Sequence, residues 1–138
     1  MGRRDEETSQ PIMRKVTLNS RVMALVPGLC YVRDLWIEIG NTRVEEVPVG
    51  QAFHILCDYY AENVGGIKWL TCVTVKGDGI ENYEDTGVSF SSTIDHTARL
   101  GNLGPNIMPD KDITLTVTVW LHDDFNEYPP YPPKEQWD

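Results

Sequence analysis

The sequence predicts an all-β fold, an antiparallel sandwich or barrel of about seven or eight short strands. Three observations predict it. Apolar residues alternate with period two in one segment after another, Gly, Pro and Asn clusters interrupt them at short intervals, and no segment holds a helical period. At 138 residues the chain supplies one domain, enough to bury a core without disulfides or metals.

Residues 1–12 are polar and charged, with Pro11, and are expected to form an N-terminal arm. The domain proper is expected over 13–124. Its first part predicts two short strands, with Val16 and Leu18 alternating against Lys15 and Thr17, then the run Val22 to Val26 ending at Pro27-Gly28. Asp34 to Ile39 alternates Leu35, Ile37 and Ile39 against Trp36 and Glu38 and halts at Gly40-Asn41. In QAFHILCDYYA, residues Phe53, Ile55, Cys57 and Tyr59 share the core face.

Ile67, Trp69, Thr71, Val73 and Val75 lie on one side of the next strand, which closes at Lys76-Gly77-Asp78-Gly79. Asp78 to Asp85 reads as a long acidic loop, and Val88 to Ile94 as one strand. The last strand separates Ile113, Leu115, Val117, Val119 and Leu121 from Thr114, Thr116, Thr118, Trp120 and His122.

Three segments together, DLWIEIG, VPVGQAFHILCDYYAENVGG and DITLTVTVWLHDD, with KGDG closing a strand between the last two, resemble the immunoglobulin-like domains of the CARDB type. Val49-Gly50-Gln51 and Asn63-Val64-Gly65 stand where that family has its turns, and the resemblance covers residues 34–123. It implies an immunoglobulin-like antiparallel β-sandwich used as a spacer, adhesion or assembly module. The family's acidic, Asn-rich ending is replaced here by a proline run.

The chemistry-bearing residues form no recognisable site. A net charge of −9 and a pI near 4.7 argue against nucleic acid and against anionic membranes as partners. No apolar run is long enough to span a bilayer and no secretory signal precedes the domain, so a cytoplasmic or virion location is expected. His54, His96 and His122 sit on separate segments without ligand spacing and are expected on outer faces. The 78–85 carboxylates do not follow the calcium-loop pattern. Cys30, Cys57 and Cys72 are expected as buried thiols, although Cys57 and Cys72 would face each other if their strands formed a hairpin. No cofactor, metal or catalytic residue is expected, since no serine sits in a nucleophile elbow and no carboxylate is set among apolar residues.

Outward aromatics and the C-terminal segment are the candidates that remain. Trp36, Tyr60 and Trp120 alternate out of phase with their core-facing neighbours, which suits a surface covered by protein or by a glycan. Residues 125–138 form a second arm, in which Tyr128, Pro129, Pro130, Tyr131, Pro132, Pro133 and Trp137 combine aromatic rings with prolines that exclude helix and sheet interior. Such a segment is suited to docking on copies of the same chain or on a shell protein, as in a capsid decoration or cement protein. An adhesion or carbohydrate-binding module is the alternative.

Overall fold

The computed structural model describes residues 10–63, 69–89 and 93–122, and every regular element within them is a β-strand. In chain order these are β1 (Met13–Ala24), β2 (Gly28–Ile39), β3 (Thr42–Val44), β4 (Glu46–Pro48), β5 (Ala52–Asn63), β6 (Trp69–Gly77), β7 (Ile80–Ser89), β8 (Thr93–Leu100), β9 (Asn106–Ile107) and β10 (Ile113–His122). One sheet has the order β4-β1-β10-β6-β7. The other runs β3-β2-β5-β8, with β9 added beside the start of β5.

Their facing sides share one core. Phe53, Ile55, Cys57 and Tyr59 from β5 meet Leu115, Val117, Val119 and Leu121 from β10, all at 1% exposure or less. The alternation in both segments therefore reads the inner face correctly. Val73 and Val75 join them from β6, and Ala98 and Leu100 from β8.

Four expectations change. Residues 13–24 form one strand instead of two, because Asn19 and Ser20 stay in register with Thr116 and Val117 of β10 and pairing outweighs their weak strand preference. The sheets are also not purely antiparallel: β1 and β10 run parallel from Val16↔Ile113 to Ala24↔Leu121. Parallel neighbours need a long connection, here nearly the whole chain, and no local signal marks such a pair.

The expected loop at 78–85 is a tight turn and a strand. Asp78 (φ 45°) and Gly79 (φ 84°) make the two-residue connection between Gly77 and Ile80, which are paired. From there β7 follows β6, although Glu81, Asn82, Glu84 and Asp85 supply little apolar pattern. Residues 88–94 do not form one strand either, since β7 ends at Ser89 in one sheet and β8 begins at Thr93 in the other.

A buried amide cluster ties down one end of the core. Asn106 is 2% exposed, and its Nδ2 donates to the carbonyls of Phe53 (3.0 Å) and Leu100 (3.1 Å). Its Oδ1 accepts from Asn82 Nδ2 at 2.9 Å, which also reaches the Gly104 carbonyl at 2.7 Å. These bonds join β5, β7, β8 and the 101–105 connection through groups that burial would otherwise leave unpaired.

Candidate functional site

The two lateral walls between the sheets differ. At the β7–β8 wall a single carboxylate closes the gap: Glu84 Oε1 lies 2.6 Å from His96 Nε2, and its Oε2 accepts the Arg99 backbone N–H at 2.8 Å. His96 therefore points inward, edge-on to Tyr59 with ring centroids 5.9 Å apart, which corrects its expected outer-face position. In β8 it shares the phase of Ile94, Ala98 and Leu100, a pattern masked by the polar residues between them. The Glu84 hydrogen bond raises the His96 pKa against the opposing effect of burial.

Among the described residues no such closure stands at the β1–β2 wall. β4 pairs with β1 only through Met13, Arg14 and Lys15, and β3 pairs with β2 only through Ile37, Glu38 and Ile39. Among the described residues, Val16–Ser20 of β1 and Gly28–Trp36 of β2 consequently pair on one side alone. Between them opens a cleft of about 230 Å³ lined by the apolar Val16, Leu18, Leu35, Ile37 and Val44 together with Trp36, Arg43 and Glu45. A strand that pairs on one side only, beside a cleft with apolar and charged walls, is a template for another extended chain.

β2 blunts its own edge with a bulge. Arg33 is the extra residue between Val32 and Asp34, and its guanidinium reaches across β5 to Asp58 (2.7 Å) and Asp95. The Arg33 bond holds Asp95 below the usual carboxylate range, and the bonds to Asp95 and Asp58 together hold Arg33 above its own. Along β1 the described register is unbroken, so β1 presents the more regular edge.

Trp36 lies on the outer face of the β2–β5–β8 layer, half-buried. Its Nε1–H donates to Glu38 at 2.8 Å, and the Arg43 guanidinium covers its ring at 5.1 Å. Glu38 in turn accepts from Arg99 at 3.1 Å, and its pKa is lowered chiefly by the Trp36 bond. Further along that face Tyr31 and Tyr60 pack at 5.6 Å, with the Tyr60 hydroxyl donating to Glu62 at 2.8 Å.

Trp120 occupies the opposite outer surface, on β10, and is 1% exposed. Its Nε1–H donates to Thr74 Oγ1 at 2.9 Å. The two tryptophans singled out by alternation are thus on different faces and form no common site. Tyr128, Pro129, Pro130, Tyr131, Pro132, Pro133 and Trp137 lie outside the described residues, as do both arms apart from residues 10–12. The apolar cleft residues were missed as a group because each reads as ordinary core; the shortness of the segments at 42–44 and 46–48 is the signal that, among the described residues, β3 and β4 cover β2 and β1 only in part.

Other candidates separate. His54 Nε2 is 3.1 Å from Asn102 Oδ1 on the surface, and among the described residues no group of His, Cys, Asp and Glu is arranged to hold a metal ion. Asp78 accepts the Thr114 N–H at 2.9 Å and pairs with Lys111 at 3.3 Å, which lowers its pKa. Cys57 and Cys72 do not face each other: β5 and β6 belong to different sheets, and Cys72 sits against Trp120 outside the main core. All three cysteines are free thiols, and burial pushes Cys30 up to about 11 and Cys57 to about 12. No helix among the described residues is long and apolar enough to cross a membrane. Comparison with protein-family models, with curated proteins and with solved structures finds no match to this chain.

Proposed function

We propose that this chain is a non-enzymatic assembly protein, an immunoglobulin-like sandwich that binds neighbouring copies or a shell protein, as a capsid decoration or cement protein does on a virion. The observation that carries the reading is the β1 edge, where among the described residues Val16–Ser20 have a strand partner on one side only, beside the cleft that Val16 and Leu18 line. An added strand gains backbone hydrogen bonds along that edge, while its alternate side chains enter the cleft between Leu18 and Leu35. The terminal arms, 1–12 and 125–138, are the segments proposed to reach between neighbours. Repetition around a lattice turns weak single contacts into stable attachment.

Sedimentation velocity of the full chain tests this. Self-association, or co-sedimentation with its shell, is expected to be lost in Leu18→Lys and Val44→Lys while melting stays cooperative. Equal association in wild type and both variants would overturn the role of the cleft.

A glycan-binding module is the second reading, favoured by one observation. Tyr31, 44% exposed, stacks on Tyr60 beside Asp58, Asp95 and Glu62, a ring-and-carboxylate surface suited to a sugar. Trp36 contributes less to it, because Arg43 already covers its ring. Glycan binding that disappears in Tyr31→Ala would favour this reading over assembly.

A further inference from the structure

We infer that the outer face of the β4-β1-β10-β6-β7 sheet, around Trp120, is the seat of this chain's own C-terminal segment, residues 123–138. The starting point is the burial of an outward indole. Val119 and Leu121 point into the core, so Trp120 between them points away from it, opposite Met23 and Cys72 on the neighbouring strands. From the same sheet, Met23 and Tyr83 pack against this ring. Arg21 lies over part of it, 5.8 Å from the centroid, yet the residue is 1% exposed. Something further lies over it.

Burial along the outward rows shows where the cover sits. On β10, Thr114 is exposed, Thr116 half-buried, and Thr118 and Trp120 are at 0% and 1%. On β1, Thr17 and Asn19 are exposed whereas Arg21 and Met23 are half-buried. On β6, Lys76 is half-buried and Thr74 and Cys72 are at 0%. A bare sheet face has no reason to grade in this way. The three rows agree on a cover at the end of the sheet where β10 finishes and residues 123–138 depart.

Other segments fit this position poorly. Residues 1–9 join the chain near Met13, at the far end, and would have to cross the face over Thr17 and Asn19, which are exposed. Residues 64–68 connect β5 to β6 and residues 90–92 connect β7 to β8, so each is used in passing from one sheet to the other, about 10 Å apart. The C-terminal segment starts three residues beyond Trp120. Seven residues, the number from 127 to 133, would span about 22 Å as a polyproline helix, more than the roughly 10 Å from β10 across β6 to β7.

Its chemistry suits the seat. Phe125, Tyr128, Tyr131 and Trp137 offer flat apolar area to Trp120, Met23 and Tyr83, and Asp123, Asp124, Glu127 and Glu135 meet the side that carries Arg21 and Lys76. Four prolines restrict the segment before it docks, which lowers the entropy lost on docking. The inference does not rest on the assembly reading: a tail seated on its own sheet is expected whether or not copies associate, and it serves a neighbour only after exchange between copies.

The test is photocrosslinking of the full chain with benzoylphenylalanine in place of Tyr131, in dilute solution, followed by peptide mass mapping. Adducts within one chain to β1 near Arg21 and Met23, or to β7 near Tyr83, are expected. Adducts confined to the β3-β2-β5-β8 layer or to a second chain, or no adduct, would overturn the inference. A second measurement uses the Trp120 indole N–H, whose hydrogen exchange should accelerate about tenfold or more in the Tyr128→Ala, Tyr131→Ala, Trp137→Ala triple variant while the Val117 and Val119 amides keep their protection. Unchanged indole exchange in a folded triple variant would also overturn it.

Discussion

Replacing Asn106 by alanine removes a side chain that serves three partners at once. Its amide nitrogen no longer satisfies the Phe53 and Leu100 carbonyls, at 3.0 and 3.1 Å, and the Asn82 amide loses its acceptor at 2.9 Å. With Asn106 at 2% exposure, water does not simply replace these bonds. Each hydrogen bond contributes about 0.5–1.5 kcal/mol net, and a buried group left unpaired costs about 1–3 kcal/mol. Three lost bonds, with two carbonyls stranded together, give a destabilisation of about 3 kcal/mol. At a urea slope of about 2 kcal/mol/M this lowers the midpoint by about 1.5 M without changing the slope. Urea unfolding of wild type, Asn106→Ala, Asn82→Ala and the double variant closes a cycle in which the two residues should couple by about 1 kcal/mol or more. A loss below about 1 kcal/mol for Asn106→Ala, or additive single effects, would refute the reasoning that this cluster closes the end of the core.

Other perturbations follow from the same geometry. Gly101, at φ +130°, leaves no room for a side chain, since a Cβ would lie 2.9 Å from the His54 ring and 3.1 Å from Asn106 Nδ2; Gly101→Ala should destabilise by about 1–3 kcal/mol in the same urea assay. The raised His96 pKa makes its protonated form a stabiliser, so the contribution is complete below the ordinary value of 6.5 and is lost as pH rises through the folded value. Melting temperatures of wild type and His96→Gln should therefore differ on the acid side of that window and converge above it; a constant difference would remove Glu84 and His96 as a charged clasp. Asp34, Asp78 and Asp95 are held low by their partners and act in the opposite direction, giving stability that disappears as pH falls through their folded values. Cys57 is fully buried with its pKa pushed up to about 12, so a disulfide reagent at neutral pH should label it only as fast as the protein opens, and rapid labelling of Cys57 in the native state would contradict its placement in the core.

The inner faces of β5 and β10 were legible because every second residue from Phe53 to Tyr59 and from Ile113 to Leu121 is buried, and period two allows only one register for such a set. β7 was not legible: its inward positions include Asn82 and Glu84, whose partners Asn106 and His96 are distant in sequence, so a strand held by buried polar pairs read as an acidic loop. The parallel β1–β10 pair escaped for a related reason, as pairing between the two ends of a chain leaves no turn to read. Alternation did identify Trp36 and Trp120 as outward residues. It could not say that one is held by Arg43 and Glu38 while the other is buried, since that depends on what lies above each sheet.

Assembly is the central claim, and the mass of the protein as it occurs in its source tests it most directly. Light scattering after gentle size-exclusion should place the chain in particles or in species many times 15.7 kDa. Recovery as a free 15.7 kDa monomer, with the Val16–Ser20 edge of β1 open to hydrogen exchange, would contradict it.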